Sequence, residues 1–300
     1  MPAGRPPRAA YIAWAAICII WGTTYLAIKI ALDGIPPMLV GGIRYLIAGS
    51  VLIGALLARG ERLPAPAAWP RFAVLGLLML GVGNGGVVWA EQYVPSGLAA
   101  VIIATSPFWM VAVDALLGGG ERIGRQHWIG LIIGFGGIVL LLWPELMAGG
   151  QAGHNLLFGV GGLQVACLGW SLGSSYGKRH TSHVAPIHGA ALQMLTGGVW
   201  MTLGGTACGE WQAFAPSPRA VWAVLYLAFV GGLAGFGAYI YALAHLPLSF
   251  VSLYAYINPV IAVALGALLL GEPFTWRMAI AVAIILAGTA TVSLASAARH

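Results

Sequence analysis

Along this chain, apolar residues do not alternate with polar ones. They run in blocks of span length, separated by short clusters of charge, Pro and Gly. Ten blocks are predicted as helices: Tyr11 to Leu32, Pro37 to Ala58, Phe72 to Ala90, Ser96 to Leu117, Trp128 to Trp143, Leu156 to Gly177, Pro186 to Thr206, Ala220 to Leu243, Leu248 to Leu270 and Trp276 to Leu294. A bilayer core of about 30 Å takes about 20 apolar residues per helix, so blocks of this length are read as membrane spans. No stretch is left for a separate soluble domain. Arg5, Arg8 and the first apolar run imitate a secretory leader, but that run is span-length and has a counterpart later in the chain, so it is expected to be retained.

Composition agrees with this pattern. The chain is 60% hydrophobic and 7% charged, whereas soluble domains carry about 25% charged residues. A net charge of +6 invites a nucleic-acid reading, but the basic residues cluster no further than pairs, as expected when positive charge is collected by cytoplasmic loops. No nucleic-acid partner is expected. The lipid bilayer is. Cys18, Cys167 and Cys208 are odd in number and lack metal-ligand spacing, so they are read as packing residues.

The chain repeats itself. CIIWGTTYLAIK from Cys18 aligns with CLGWSLGSSYGK from Cys167 at a shift of 149 residues, pairing Trp21 with Trp170 and Lys29 with Lys178, and the same shift lays Arg44 on Gln193. GNGGVVWAEQYVP from Gly83 lies on GFGAYIYALAHLP from Gly235 at a shift of 152, which also brings Pro107 onto Pro259 and Ser106 onto Asn258. At a shift of 151, Glu121 meets Glu272 and Gly137 meets Gly288. The organisation predicted is a tail at 1–10, a five-helix repeat at 11–144, a periplasmic connection at 145–155, a second repeat at 156–294 and a tail at 295–300. Five spans per repeat is an odd number, so the second copy enters the membrane inverted, an architecture of transporters. With the N-terminus inside, ten Lys and Arg residues fall on the cytoplasmic side and only Arg219 and Arg277 outside, which puts both termini in the cytoplasm.

The Trp21-Gly22 pair, the Arg44-Tyr45-Leu46 run, Pro107 and Pro259, and LLLGEPFTWR from Leu268 resemble the EamA branch of the drug/metabolite transporter superfamily over nearly the whole chain. Within it, the chain is similar to YddG-like aromatic and other amino acid exporters. The resemblance implies an all-α membrane fold of ten helices in two inverted repeats. It also implies a central cavity formed by the first four helices of each half, with the fifth and tenth helices peripheral.

Residues that face such a cavity are sought among polar and aromatic groups deep in the spans. Trp14, Cys18, Trp21, Tyr25 and Lys29 share one stripe of the first helix. Trp21, at mid-span, and Tyr25 are taken as cavity-lining; helix packing is the alternative for the stripe as a whole. Gln164, Cys167, Ser171, Ser175 and Lys178 form a polar track on the sixth helix that is expected to face the cavity or other helices. Arg44 sits about two turns inside the outer surface, where a lipid-facing Arg would cost about 2.5–3.5 kcal/mol. It needs a partner, either Glu91 in a structural ion pair or a substrate carboxylate, and Gln193 is its repeat counterpart.

Ser106 and Asn258 each precede a Pro that breaks the helix and exposes a carbonyl, predicting a polar site between the fourth and ninth helices with Asn84. Pro107 and Pro259 are candidate hinges. Trp89, Tyr239 and Tyr254 add aromatic surface. Glu121 and Glu272 are read as structural carboxylates beginning the fifth and tenth helices.

Enzyme motifs fail on context. Gly81, Gly83 and Gly86 satisfy a dinucleotide fingerprint, and Gly169, Ser171 and Gly173 a nucleophile elbow, but both lie inside spans rather than after strands. His180, His183 and His188 sit in a basic connection and are read as solvated rather than as metal ligands. No cofactor, metal or catalytic residue is expected. The function expected is export of amino acids, aromatic or otherwise neutral, and related small metabolites by alternating access. The alternatives are a multidrug, nucleoside or sugar exporter of the same superfamily, or an integral-membrane lipid- or prenyl-modifying enzyme.

Overall fold

The computed structural model describes residues 7–117, 124–148, 150–180, 184–246, 248–251, 253–272 and 274–297. Ten helices follow one another: α1 (Arg8–Ala31), α2 (Pro37–Ala58), α3 (Pro66–Ala90), α4 (Ser96–Leu116), α5 (Arg125–Ala148), α6 (Gly150–His180), α7 (Pro186–Ala207), α8 (Pro218–His245), α9 in two pieces (Leu248–Val251 and Tyr254–Leu270) and α10 (Trp276–Ala297). There is no strand among the described residues. Six of the ten, α1, α2, α3, α4, α6 and α8, meet the requirements of a membrane span by length and composition. The apolar stretches Tyr254–Leu270 and Trp276–Val292 are shorter.

Helix starts are written locally. Pro occupies the first turn of α2, α3, α7 and α8, where its missing amide would be unpaired anyway. Ser217 Oγ caps α8 by accepting from Ala220 N at 3.1 Å. Gly271, with φ +66°, ends α9 in the left-handed conformation that Gly adopts without penalty. Successive helices run antiparallel. One face of the bundle therefore carries the starts of the even-numbered helices and the ends of the odd-numbered ones; the other, the termini face, carries the start of α1 and the end of α10.

Packing is reciprocal between the halves. α2 lies along α7 and α5 along α10; α1 packs on α8 and α9, while α6 packs on α3 and α4. α5 and α10 pack mainly on each other, which makes them peripheral as the resemblance implied. Close approach is achieved through Gly: a Cβ on Gly198 would lie 2.6 Å from the Leu46 backbone nitrogen, and one on Gly130 would lie 2.6 Å from the Gly288 carbonyl oxygen. Outward, Ile132, Leu203, Trp222 and Leu268 are exposed, as a lipid-facing surface requires.

Two features depart from ordinary α-helix. α3 is π-helical over Gly76–Asn84, and α8 is π-helical over Leu227–Ala234, within two residues of the positions paired by the 152-residue shift. π turns are rare and concentrate at functional sites. α4 is also interrupted, with a turn at Ala104 and Thr105 before it restarts at Ser106, and Pro107 stands in the first turn of the second piece. Carbonyls at the break are taken by hydroxyls: Thr105 Oγ1 donates to Ile102 O at 2.6 Å and Ser106 Oγ to Ile103 O at 2.5 Å. Pro259 behaves differently from expectation. It lies within the continuous piece Tyr254–Leu270, and the irregular turn, at Leu253, comes before that piece.

Candidate functional site

The sequence-predicted residues separate into three groups. The first is aromatic. Trp21 on α1 packs against Tyr239 of α8 (ring centroids 5.3 Å apart) and Tyr254 of α9 (4.9 Å), and the two tyrosines meet at 6.0 Å. Trp21 Nε1 donates to Gly231 O at 3.1 Å, inside the π stretch of α8. Gly makes this approach possible, because a Cβ on Gly235 would lie 2.6 Å from Trp21 Nε1. Edge-to-face and tilted rings at these distances add about 0.5–1.5 kcal/mol per pair to their burial. The wall continues toward the termini face as Trp14 against Phe250 at 4.8 Å.

The second group is Arg44 with Asn84. Arg44 is only 6% exposed. Its Nη2 donates to Asn84 Oδ1 at 2.8 Å and to the Tyr45 hydroxyl, and its guanidinium carbon stands 4.3 Å from the Tyr45 ring centroid. Nε and Nη1 have no hydrogen-bond partner among the described residues. Asn84 closes the π stretch of α3. The ion pair with Glu91 does not form: Arg44 turns to Asn84 instead, and Glu91 is buried with both carboxyl oxygens unbonded. Phe236, 6.3 Å from Tyr239, links this region to the aromatic cluster through the packing around Tyr45 and Leu80.

The third group lies between α4 and α6. Gln164 Oε1 accepts from Trp109 Nε1 at 2.8 Å and its Nε2 donates to Thr105 Oγ1 at 3.4 Å, so the polar track of α6 faces the break in α4. Ser106 Oγ reaches Cys167 Sγ at 3.4 Å. With its amide nitrogen facing two carbonyls, Asn258 donates to Cys18 O and Tyr254 O, both at 3.0 Å. Ser106 and Asn258 therefore do not face each other across an α4–α9 site. Each reaches the first helix of the other half, at the repeat-related residues Cys167 and Cys18. Ser171 is buried and bonds back to Cys167 O at 2.8 Å, which leaves it a packing residue of its own helix.

Three more candidates sit apart from these groups. Gln193 Nε2 contacts Met79 Sδ at 3.4 Å and lines a cleft of about 240 Å³ between α3, α7 and α8, with Phe72, Pro186 and Phe236. Trp89 packs on Tyr93 at 4.9 Å and against Gly162 of α6, away from Trp21. Tyr25 packs on the main apolar core. Trp170, the repeat counterpart of Trp21, is exposed and has no equivalent cluster among the described residues.

Glu272 does not begin α10, which starts at Trp276. It caps α4 instead, accepting from Ser96 N at 2.7 Å and Gly97 N at 3.2 Å. Glu121 and His183 lie outside the described residues. His188 approaches Glu61 at 3.0 Å and His180 stacks on Tyr176 at 4.2 Å.

Sequence reasoning missed Tyr45, Thr105, Trp109 and Phe236, and it missed both π stretches. The trace of the π stretches in the sequence is two Gly-rich runs, GLLMLGVGNGG and LAFVGGLAGFG.

The profile of the EamA-like transporter family matches the chain twice, at residues 8–143 and 157–294. The uncharacterized inner membrane transporter YedA of Escherichia coli K12 is 37% identical over 280 residues, covering 93% of this chain and 89% of the relative. The probable amino-acid metabolite efflux pump of the same organism is 23% identical, with 91% and 90% covered. A solved crystal structure is similar in fold, with a TM-score of 0.64 at 24% identity, covering 97% of this chain and 99% of that one.

Proposed function

Because the chain belongs to the EamA-like transporter family, and so is a multi-pass membrane transporter of small molecules, we propose that it exports neutral amino acids, aromatic ones foremost, across a cytoplasmic membrane. The observation that carries this reading is the pairing of a buried guanidinium holding two unpartnered nitrogens with an aromatic cluster one packing layer away. An unpaired polar group buried away from water costs about 1–3 kcal/mol, more when charged. A ligand carboxylate accepting from Nε or Nη1 would lessen that cost through a charge-assisted hydrogen bond. Trp21, Tyr239 and Tyr254 then offer faces to an apolar side chain, and Gln193 lines the cleft by which it enters from the termini face.

The reciprocal packing of the halves supports alternating access of two inverted five-helix repeats, 11–144 and 156–294. The asymmetry of Lys and Arg supports cytoplasmic termini. Asn84 holds Arg44, Ser106 and Asn258 tie each half to the other, and the interruption before Pro107 supplies a hinge in α4. The efflux pump among the relatives is named for amino-acid metabolites, which supports the substrate class.

The test is counterflow of labelled amino acids into proteoliposomes holding wild type or Arg44→Gln. Accumulation led by phenylalanine, tryptophan and large aliphatic amino acids, lost at least tenfold in the variant, is the expected result. No accumulation of any amino acid by folded wild type in sealed vesicles would overturn the substrate class and direct the search to drugs, nucleosides and sugars.

A further inference from the structure

Glu91 stands at the end of α3 on the face opposite the termini. It is fully buried, and neither carboxyl oxygen has a hydrogen-bond partner among the described residues. A carboxylate in such a place loses several kcal/mol of hydration without donors to replace it, whereas the neutral acid does not. The charged groups acting on it come from three elements: Lys29 of α1, Arg44 of α2 and Glu272 in the turn after α9; the Tyr25 phenol of α1 also senses it. Neither cation donates to the carboxyl oxygens. Lys29 Nζ donates to the backbone oxygens of Glu91 and of Val94 (3.1 Å), and Arg44 to Asn84 and Tyr45. The α6 surface beside this end of α3 is apolar, formed by Val160 and Leu163.

The second observation is a route for water. A cleft of about 130 Å³ on the same face is lined by Lys29, Asp33 and Arg219, so the amine that holds the Glu91 backbone also borders that cleft. Lys29 is thus shared between the cleft lining and the backbone of the buried acid. We propose that Glu91 is a proton-binding site, loaded when this face is closed and emptied through the Lys29 cleft when it opens, so that substrate movement is coupled to proton movement. Closure is held by Glu272 on Ser96 N and Gly97 N, five and six residues beyond Glu91. When those bonds part, water enters and Lys29 becomes free to pair with the ionised carboxylate; the proton leaves to water on that side. Reclosing expels the water, and the carboxylate takes its next proton from the termini side when that face opens, so that one proton crosses per cycle. No other bond is made or broken. This rests on the transporter reading of the family and not on the identity of the substrate.

Two measurements test it. The first needs no substrate: melting of purified wild type and Glu91→Gln, an isostere of the neutral acid, across pH. The two are expected to melt together in acid. Wild type is expected to fall below the variant as pH rises above the ordinary carboxylate range, because the unfolded chain then gives up the Glu91 proton while the folded state keeps it. Lys29→Gln, which retains Glu91 but removes the amine, is expected to deepen that fall and extend it to higher pH, because the amine favours the ionised carboxylate in the folded state. Parallel curves at every pH would overturn the proposal.

The second is uptake of labelled phenylalanine into proteoliposomes with and without an imposed pH gradient. Wild type is expected to respond at least fivefold, and the ratio for Glu91→Gln to fall to about one. A wild type that exchanges phenylalanine with no response to the gradient sinks the coupling alone. A wild type that does not move phenylalanine sinks the substrate reading, and the melting curves still decide the proton site.

Discussion

Glu210, in the turn that follows α7, accepts from the Leu39 amide at 2.9 Å and from the Met38 amide at 3.2 Å, closing the start of α2 with a carboxylate from the other half of the chain. The relationship has a counterpart. Glu61 lies 149 residues before Glu210, His188 lies 149 residues after Leu39, and Glu61 Oε2 stands 3.0 Å from His188 Nε2 on the opposite face. A carboxylate after the second helix of each half thus meets the start of the second helix of the other.

Removing this latch is expected to loosen one face only. Glu210→Ala leaves the first-turn amides of α2 without their acceptor, a loss of about 0.5–2 kcal/mol by analogy with N-cap residues. Thermal unfolding in detergent should fall by a few degrees. Cys208, exposed beside the latch, should react faster with maleimide in the variant. An unchanged melting temperature and unchanged reactivity would deny the latch any role.

Cys208 also reports orientation. It is exposed, whereas Cys18 and Cys167 are buried. In intact cells a membrane-impermeant maleimide is expected to label wild type at one thiol, and Cys208→Ser should abolish that labelling. Labelling only after the cells are opened would invert the topology inferred from Lys and Arg.

The seam between α2 and α7 is expected to refuse side chains. Gly198→Ala sets a methyl 2.6 Å from the Leu46 backbone nitrogen, and overpacking of this kind costs about 1–3 kcal/mol. Gly54→Ala, on α2 where a Cβ would meet nothing within 4 Å, should raise stability by about 0.5–1 kcal/mol through helix propensity. Melting temperatures of the two variants should therefore move in opposite directions.

Trp21→Phe keeps an aromatic face for Tyr239 and Tyr254 and removes the donor that reaches Gly231 O. The expected loss is about 1 kcal/mol of stability, the net contribution of a typical hydrogen bond. Trp21→Ala should cost more, about 3–5 kcal/mol if its cavity stays unfilled. In counterflow, the apparent KM for an aromatic amino acid should rise more for Trp21→Ala than for Trp21→Phe.

Much of this architecture was legible because the bilayer imposes one rule on every span, so block length and interrupting charges located all ten helices to within a few residues at most ends. The repeat register carried further than its first use, since the shift that pairs Cys18 with Cys167 also pairs Glu61 with Glu210. Side-chain partners were not legible in the same way. Arg44 bonds Asn84, at the end of the π stretch of α3, and not Glu91, seven residues further along the chain, and no spacing rule in the sequence marks that π stretch. Glu272 was placed at its own helix because dipole arguments are local in sequence, whereas its actual partners, Ser96 and Gly97, are 176 and 175 residues away. Pro107 and Pro259 share a register but not an outcome: hydroxyls at Thr105 and Ser106 make the break in α4 tolerable, while the residues before Pro259 continue the helix.

The widened turns of α3 and α8 carry a historical consequence. They nearly coincide in the repeat, beginning at Gly76 and at Leu227, one residue before the counterpart of Gly76. Two independent origins would require the same rare distortion to arise twice at one address. A single origin requires only that a five-helix ancestor already held it when its gene was doubled and fused. On that account the distortion is older than the chain itself. The Arg44–Asn84 contact and the Trp21–Gly231 contact are then later, divergent uses of one inherited irregularity.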